Sequence, residues 1–233
     1  MFYYYGRKKK VAGEYPPPHC DTIIEPFAGS AAYSLHGDNW KREVILIERD
    51  PQIAALWRWL ISEATREDIL NFPDPIEGEV TEHLLHILHG ASKRWFTYKR
   101  TTATPMLIEA WRASKPYMVE MVSRVKHWTL IEGDYTLAPD VEATWFIDPP
   151  YQGEPGTGYR HGSEGLDYGS LGAWCRARQG EVIVCDGPGA NWLPFKPWVT
   201  LVGAAGKKST EHLYYRSDVV EPQVSVLDLF GTE

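Results

Sequence analysis

Short apolar runs that end in an acid recur along the chain, separated by stretches of helical spacing. Thr22-Ile23-Ile24-Glu25 is followed by Pro26 and the small residues Ala28-Gly29-Ser30-Ala31-Ala32, a pattern of strand, tight turn and helix start. Glu43-Val44-Ile45-Leu46-Ile47-Glu48 again closes on an acid, and Pro51 opens an amphipathic run from Gln52 to Ala64. Two strand-to-helix units in succession predict a parallel sheet with helices on its faces.

From about residue 65 to 127 the spacing becomes helical, with segments at Val80 to His89 and Pro105 to Val125 broken by Pro and Gly. Strands resume at Trp128 to Glu132, Thr144 to Ile147, Glu181 to Cys185, Val199 to Val202 and His212 to Tyr215. The expected organisation is an α/β core of residues 1–64 and 128–233 carrying a helical insertion at 65–127. Residues 152–172 hold seven glycines and read as a flexible loop.

At 233 residues with 43% hydrophobic and 24% charged positions, the chain suits one folded domain with a sizeable insertion. Ten tryptophans fit either stacking surfaces or an aromatic-rich core. The net charge of -7 does not advertise nucleic-acid binding, but basic residues cluster at Arg7 to Lys10 and at Lys93 to Arg100. Cys20, Cys175 and Cys185 have no metal-ligand or disulfide spacing, so no metal site is expected and a reducing cytoplasm is the expected setting. No apolar run approaches the roughly 18 residues of a membrane span.

Chemistry concentrates at Asp148-Pro149-Pro150-Tyr151, directly after a strand, where open α/β sheets bind ligands. An aromatic amine is a poor nucleophile because its lone pair is delocalised. A carboxylate and a backbone carbonyl accepting both amine hydrogens favour a tetrahedral nitrogen, the two prolines fix the carbonyl direction, and Tyr151 is suited to stack on the base. Glu25-Pro26-Phe27-Ala28-Gly29 places a glycine where backbone passes close to a ligand. Neither the GxGxxG pattern nor the phosphate-binding GxxxxGK[ST] pattern occurs.

In combination, Tyr4-Tyr5-Gly6-Arg7-Lys8, Glu25 to Gly29 and Asp148 to Tyr151 resemble the Dam-like, D12-class family of DNA adenine-N6 methyltransferases, in order and in spacing, over roughly residues 3 to 50 and 128 to 216. The resemblance implies a Rossmann-like S-adenosylmethionine-dependent methyltransferase sheet with helices on both faces and a helical insertion. It implies an enzyme of a bacterial cell, or of a phage acting in its host's cytoplasm, with DNA as partner. It assigns catalysis to Asp148, Pro149, Pro150 and Tyr151. S-adenosylmethionine is expected against Glu25, Pro26, Phe27, Ala28, Gly29 and Asp148, with Tyr5 and Lys8 near its methionine end, Glu48 on the ribose and Asp134 at the adenine. Asp50 competes with Glu48 for the ribose. Arg7 and the run Ser30-Ala31 depart from the small residues and glycines usual in the family.

DNA contacts are expected from Lys93, Arg94, Trp95, Tyr98, Lys99 and Arg100, where charge for phosphate alternates with rings, and from Tyr159 and Arg160 in the glycine-rich loop. The alternatives are rings that face the core and a plain connector. An amine in RNA or protein is the competing substrate class, and a catalytically silent nucleic-acid-binding module is the non-enzymatic alternative.

Overall fold

A computed structural model of the chain describes residues 1–2, 4, 6, 8–74, 76–77, 105–153, 156–158, 161–202 and 208–218. Its centre is a seven-stranded mixed sheet in the order β3-β2-β1-β4-β5-β7-β6. The strands are β1 (Thr22–Glu25), β2 (Glu43–Glu48), β3 (Thr129–Glu132), β4 (Glu142–Ile147), β5 (Gln179–Asp186), β6 (Lys196–Val202) and β7 (Lys208–Ser217). β1 pairs in parallel with β2 and β4, β2 with β3, and β4 with β5, whereas β7 runs antiparallel to both β5 and β6.

Successive side chains of a strand point to opposite faces, and here both faces are buried. Ile23, Val44, Leu46, Phe146 and Ile183 join one apolar cluster, and Ile24, Ile47, Trp145, Val182 and Val184 join the other. That is why these strands read as continuous apolar runs. The first face is covered by α1 (Pro51–Ser62), which buries Ile53, Leu56, Trp57 and Leu60 at helical spacing, and by α3 (Pro105–Met121), which contributes Trp111 and Met118. α2 (Arg66–Asn71), closed by a reciprocal Thr65–Asp68 capping box, packs against α3. The second face is covered by α4 (Tyr168–Arg176), through Leu171 and Cys175. Among the described tryptophans, Trp57, Trp111, Trp128 and Trp145 are core residues. The helix expected at Val80 to His89 lies outside the described residues.

Two sequence expectations are corrected. No helix begins after β1: residues 26–38 form a series of turns. Gly29 (φ 46°) and Ala31 (φ 49°) both take left-handed backbone angles, which a right-handed helix cannot propagate. Residues 152–172 are also not one loop, since α4 begins at Tyr168. Its start is stabilised by Asp167, whose side chain accepts from the Gly169 and Ser170 backbone N–H groups, and Gly172 lets the helix approach the Trp192 carbonyl, 2.9 Å from where a Cβ would lie. Glycine content overrode neither the cap nor the buried face. No described helix is long and apolar enough to cross a membrane.

Asp167→Ala is expected to lower stability measurably, because it removes the acceptor for the Gly169 and Ser170 N–H groups. Equilibrium denaturation measures it, and an unchanged midpoint would mean that α4 is held by packing alone.

Candidate active site

The parallel strands β1 to β4 end along one edge of the sheet, and the order reverses between β1 and β4, where open α/β sheets form a ligand crevice. Glu48, at the end of β2, ties this edge together. Its Oε2 accepts from the Gly29 N–H at 2.9 Å and its Oε1 from the Asp50 N–H at 2.8 Å. Asp50 in turn caps α1 by accepting from the Gln52 N–H at 3.0 Å. The Gly29 carbonyl accepts from Trp57 Nε1 at 2.8 Å, and a Cβ at Gly29 would stand 2.9 Å from the Tyr4 ring. Only glycine fits this positive-φ position under an aromatic ring. The two candidate ribose acids thus both bind backbone while also lining the crevice.

Asp148 follows β4 directly. Its Oδ1 lies 2.9 Å from Lys8 Nζ, which also stands 3.2 Å from Glu211 Oε1 and donates to the Tyr151 hydroxyl at 2.5 Å. The Tyr151 hydroxyl donates to Glu211 Oε1, and Tyr15 donates to the same oxygen at 3.0 Å. Cys185 lies beside Asp148 and Glu211, all three offering donor atoms within 4.8 Å of one another. The Lys8 ammonium lies against both carboxylates, so the positive charge there is the protein's own. Burial pushes the Asp148 carboxyl up to about 6, with Lys8 pulling it down and Glu211 pushing it further up. Burial likewise drives the Cys185 thiol well above its ordinary range, which makes it unreactive.

The loop is braced on its far side. The Pro150 carbonyl accepts from the Tyr168 hydroxyl at 2.6 Å, and Pro149 is buried. Asp186 accepts from the Gln152 and Gly187 N–H groups and from Trp192 Nε1, a set that gives it a scaffolding role.

These elements surround an open cleft whose lining residues come from several segments of the chain. Lys8, Glu25, Pro26, Phe27, Ala28, Gly29, Glu48, Asp134, Asp148 and Pro150 all line it, together with Asp50 and Tyr135. Five acids, Glu25, Glu48, Asp50, Asp134 and Asp148, face it alongside the cations Lys8 and Arg49. Such a wall favours a cationic ligand over a polyphosphate. Phe27 and Tyr135 stack at 5.6 Å beside Asp134, which caps a turn through the Thr136 N–H and lies 3.8 Å from Arg49. Tyr151 does not line the cleft; its hydroxyl is held inward by Lys8 and Glu211. Tyr5, Lys93, Arg94, Trp95, Tyr98, Lys99, Arg100, Tyr159 and Arg160 lie outside the described residues.

No protein-family model and no curated protein matches the chain. Sequence reasoning passed over Glu211 and Tyr15. Glu211 reaches the site because β7 runs antiparallel, which brings its early residues to the edge where the parallel strands end. Pairing direction carries that information, and no local motif does.

Burial raises Glu25 and Glu48 to about 7 from an ordinary 4.5. A carboxyl with a raised folded-state pKa keeps a proton that the unfolded chain has released, so it opposes folding increasingly as pH rises through that interval. The ligand-free protein is therefore expected to lose stability from about pH 4.5 to about pH 7. Glu25→Gln keeps an acceptor for the Ser34 N–H and should flatten part of that slope. Denaturant midpoints measured across the interval at constant ionic strength test this, and identical slopes for both proteins would refute it.

Proposed function

We propose that the protein transfers a methyl group from S-adenosylmethionine to the N6 amine of a flipped adenine in DNA, by direct transfer without a covalent enzyme intermediate. The observation that carries the reading is the convergence of Lys8, Glu25 to Gly29, Glu48, Asp134 and Asp148, from widely separated segments, on one cleft. Two features of the cleft suit this cofactor: acids for a cationic sulfonium ligand, and the aromatic pair Phe27–Tyr135 for a planar ring. The sheet order adds support, since β3-β2-β1-β4-β5 is the sequence of strands in a doubly wound nucleotide-binding sheet, closed here by the β7–β6 pair. Glu25, Phe27, Ala28, Gly29, Glu48 and Asp134 are the residues that would hold the cofactor.

When bound, S-adenosylmethionine supplies an electrophilic methyl on sulfur, and the carbon–sulfur electron pair stays on sulfur as the amine lone pair forms the new nitrogen–carbon bond. Asp148 and the Pro149 carbonyl accept the amine hydrogens and hold the lone pair away from the ring. Asp148 then takes the surplus proton, a task suited to a carboxyl raised to about 6. The Tyr168 bond to the Pro150 carbonyl keeps the loop direction constant. Alignment and exclusion of water supply the acceleration.

Tritium transfer from labelled cofactor to DNA, RNA and protein acceptors tests the reading. Label is expected in adenine DNA, and label in RNA or protein alone would overturn it in favour of another amine. Asp148→Ala should lower transfer by at least about 100-fold while leaving cofactor affinity largely intact, and a near-normal rate would refute the role of Asp148. Because Asp148 must be ionised to accept the amine hydrogens, the rate at saturating substrates should fall as pH drops through about 6. A rate flat across that range would contradict the assignment.

A further inference from the structure

Glu211 is buried at the active-site edge, yet it belongs to none of the motifs that mark the site. Its Oε1 receives the Tyr15 and Tyr151 hydroxyls and lies 3.2 Å from Lys8 Nζ, the same ammonium that pairs with Asp148 at 2.9 Å. The charged and titratable groups facing this point come from several elements. Lys8 and Tyr15 precede β1, Asp148 and Tyr151 follow β4, and Cys185 and Asp186 end β5. Among the groups coupled to Asp148, one cation, Lys8, is thus set against three further acids, Glu211, Asp186 and Glu25.

We propose that Glu211 is a positioning residue of the reaction: it shares the Lys8 ammonium with Asp148 and anchors the Tyr151 hydroxyl. Asp148 then meets the acceptor amine as a carboxylate that Lys8 does not fully neutralise. This rests on the reading of the cleft as an amine methyltransferase site. With Lys8 bound to Asp148 alone, the carboxylate would be a weaker acceptor of the amine hydrogens and of the released proton, since an adjacent unshared cation stabilises its ionised form. With Tyr151 unanchored, the loop carrying Asp148 would lose its tie to β7. Glu211 never touches the substrate in this scheme. It acts through Lys8 and Tyr151.

The test is a carbon-13 carboxyl NMR titration of Asp148 in the ligand-free full chain, with the resonance assigned through Asp148→Asn, combined with single-turnover transfer to DNA. Glu211→Gln keeps an acceptor oxygen for the two tyrosines but removes the charge. It should lower the Asp148 titration midpoint by about one pH unit and move the acid limb of the rate profile to lower pH by the same amount. Glu211→Asp keeps the charge and shortens the reach. It should leave the titration near that of the wild type but slow transfer roughly tenfold. An unshifted titration in Glu211→Gln, a shift in Glu211→Asp as large as that in Glu211→Gln, or a wild-type rate in Glu211→Asp would overturn the proposal. The two claims separate cleanly. Normal adenine methylation with an unshifted titration refutes Glu211 and leaves the function standing. A shifted titration in Glu211→Gln, alongside a wild-type protein that methylates no acceptor, refutes the function and supports the charge sharing.

Discussion

A buried lysine ammonium shared between two carboxylates organises this molecule. Lys8 comes from the N-terminal segment, Asp148 from the loop after β4 and Glu211 from β7, so a single cation joins three regions that are far apart in sequence. Charges taken out of water are costly unless they are paired and hydrogen-bonded, and removing one partner leaves the others uncompensated. The Tyr15 and Tyr151 hydroxyls complete the set by donating to Glu211. This constraint fixes where the Asp148 loop sits relative to the N-terminal segment.

The sheet makes the arrangement possible. Parallel strands deliver Glu25, Glu48 and Asp148 to a common edge, and the reversed direction of β7 returns Glu211 to the same edge. Glu48 plays the corresponding part on the other side of the cleft, where its two oxygens hold Gly29 and the start of α1. Both clamps place a buried carboxyl where separate chain segments meet. The resulting wall is acidic, aromatic at Phe27 and Tyr135, and open to solvent, features that suit a positively charged ligand bearing a planar ring.

Much of this was legible in the sequence. The strands β1, β2, β4 and β5 showed themselves as apolar runs because both of their faces are buried, and Pro51 marked the start of α1 correctly. The residues singled out around Gly29, Glu48, Asp134 and Asp148 line one cleft. What was missed follows from non-local physics. The left-handed angles at Gly29 and Ala31 replaced an expected helix with turns, and the Asp167 cap with the buried Leu171 and Cys175 produced a helix inside a glycine-rich stretch. Glu211 was invisible because its importance comes from strand direction. The engagement of the Tyr151 hydroxyl by Lys8 and Glu211 was equally hidden, because it depends on a partner some sixty positions away.

Adenine methylation in DNA is the central claim, and base-resolved mapping of N6-methyladenine tests it most directly. DNA from a host without adenine methylation, expressing either the wild-type chain or Asp148→Ala, should differ in one respect. Modified adenine should recur within one short sequence in the first and be absent from the second. Unmodified DNA from cells that contain the folded, cofactor-binding wild-type protein would contradict the account.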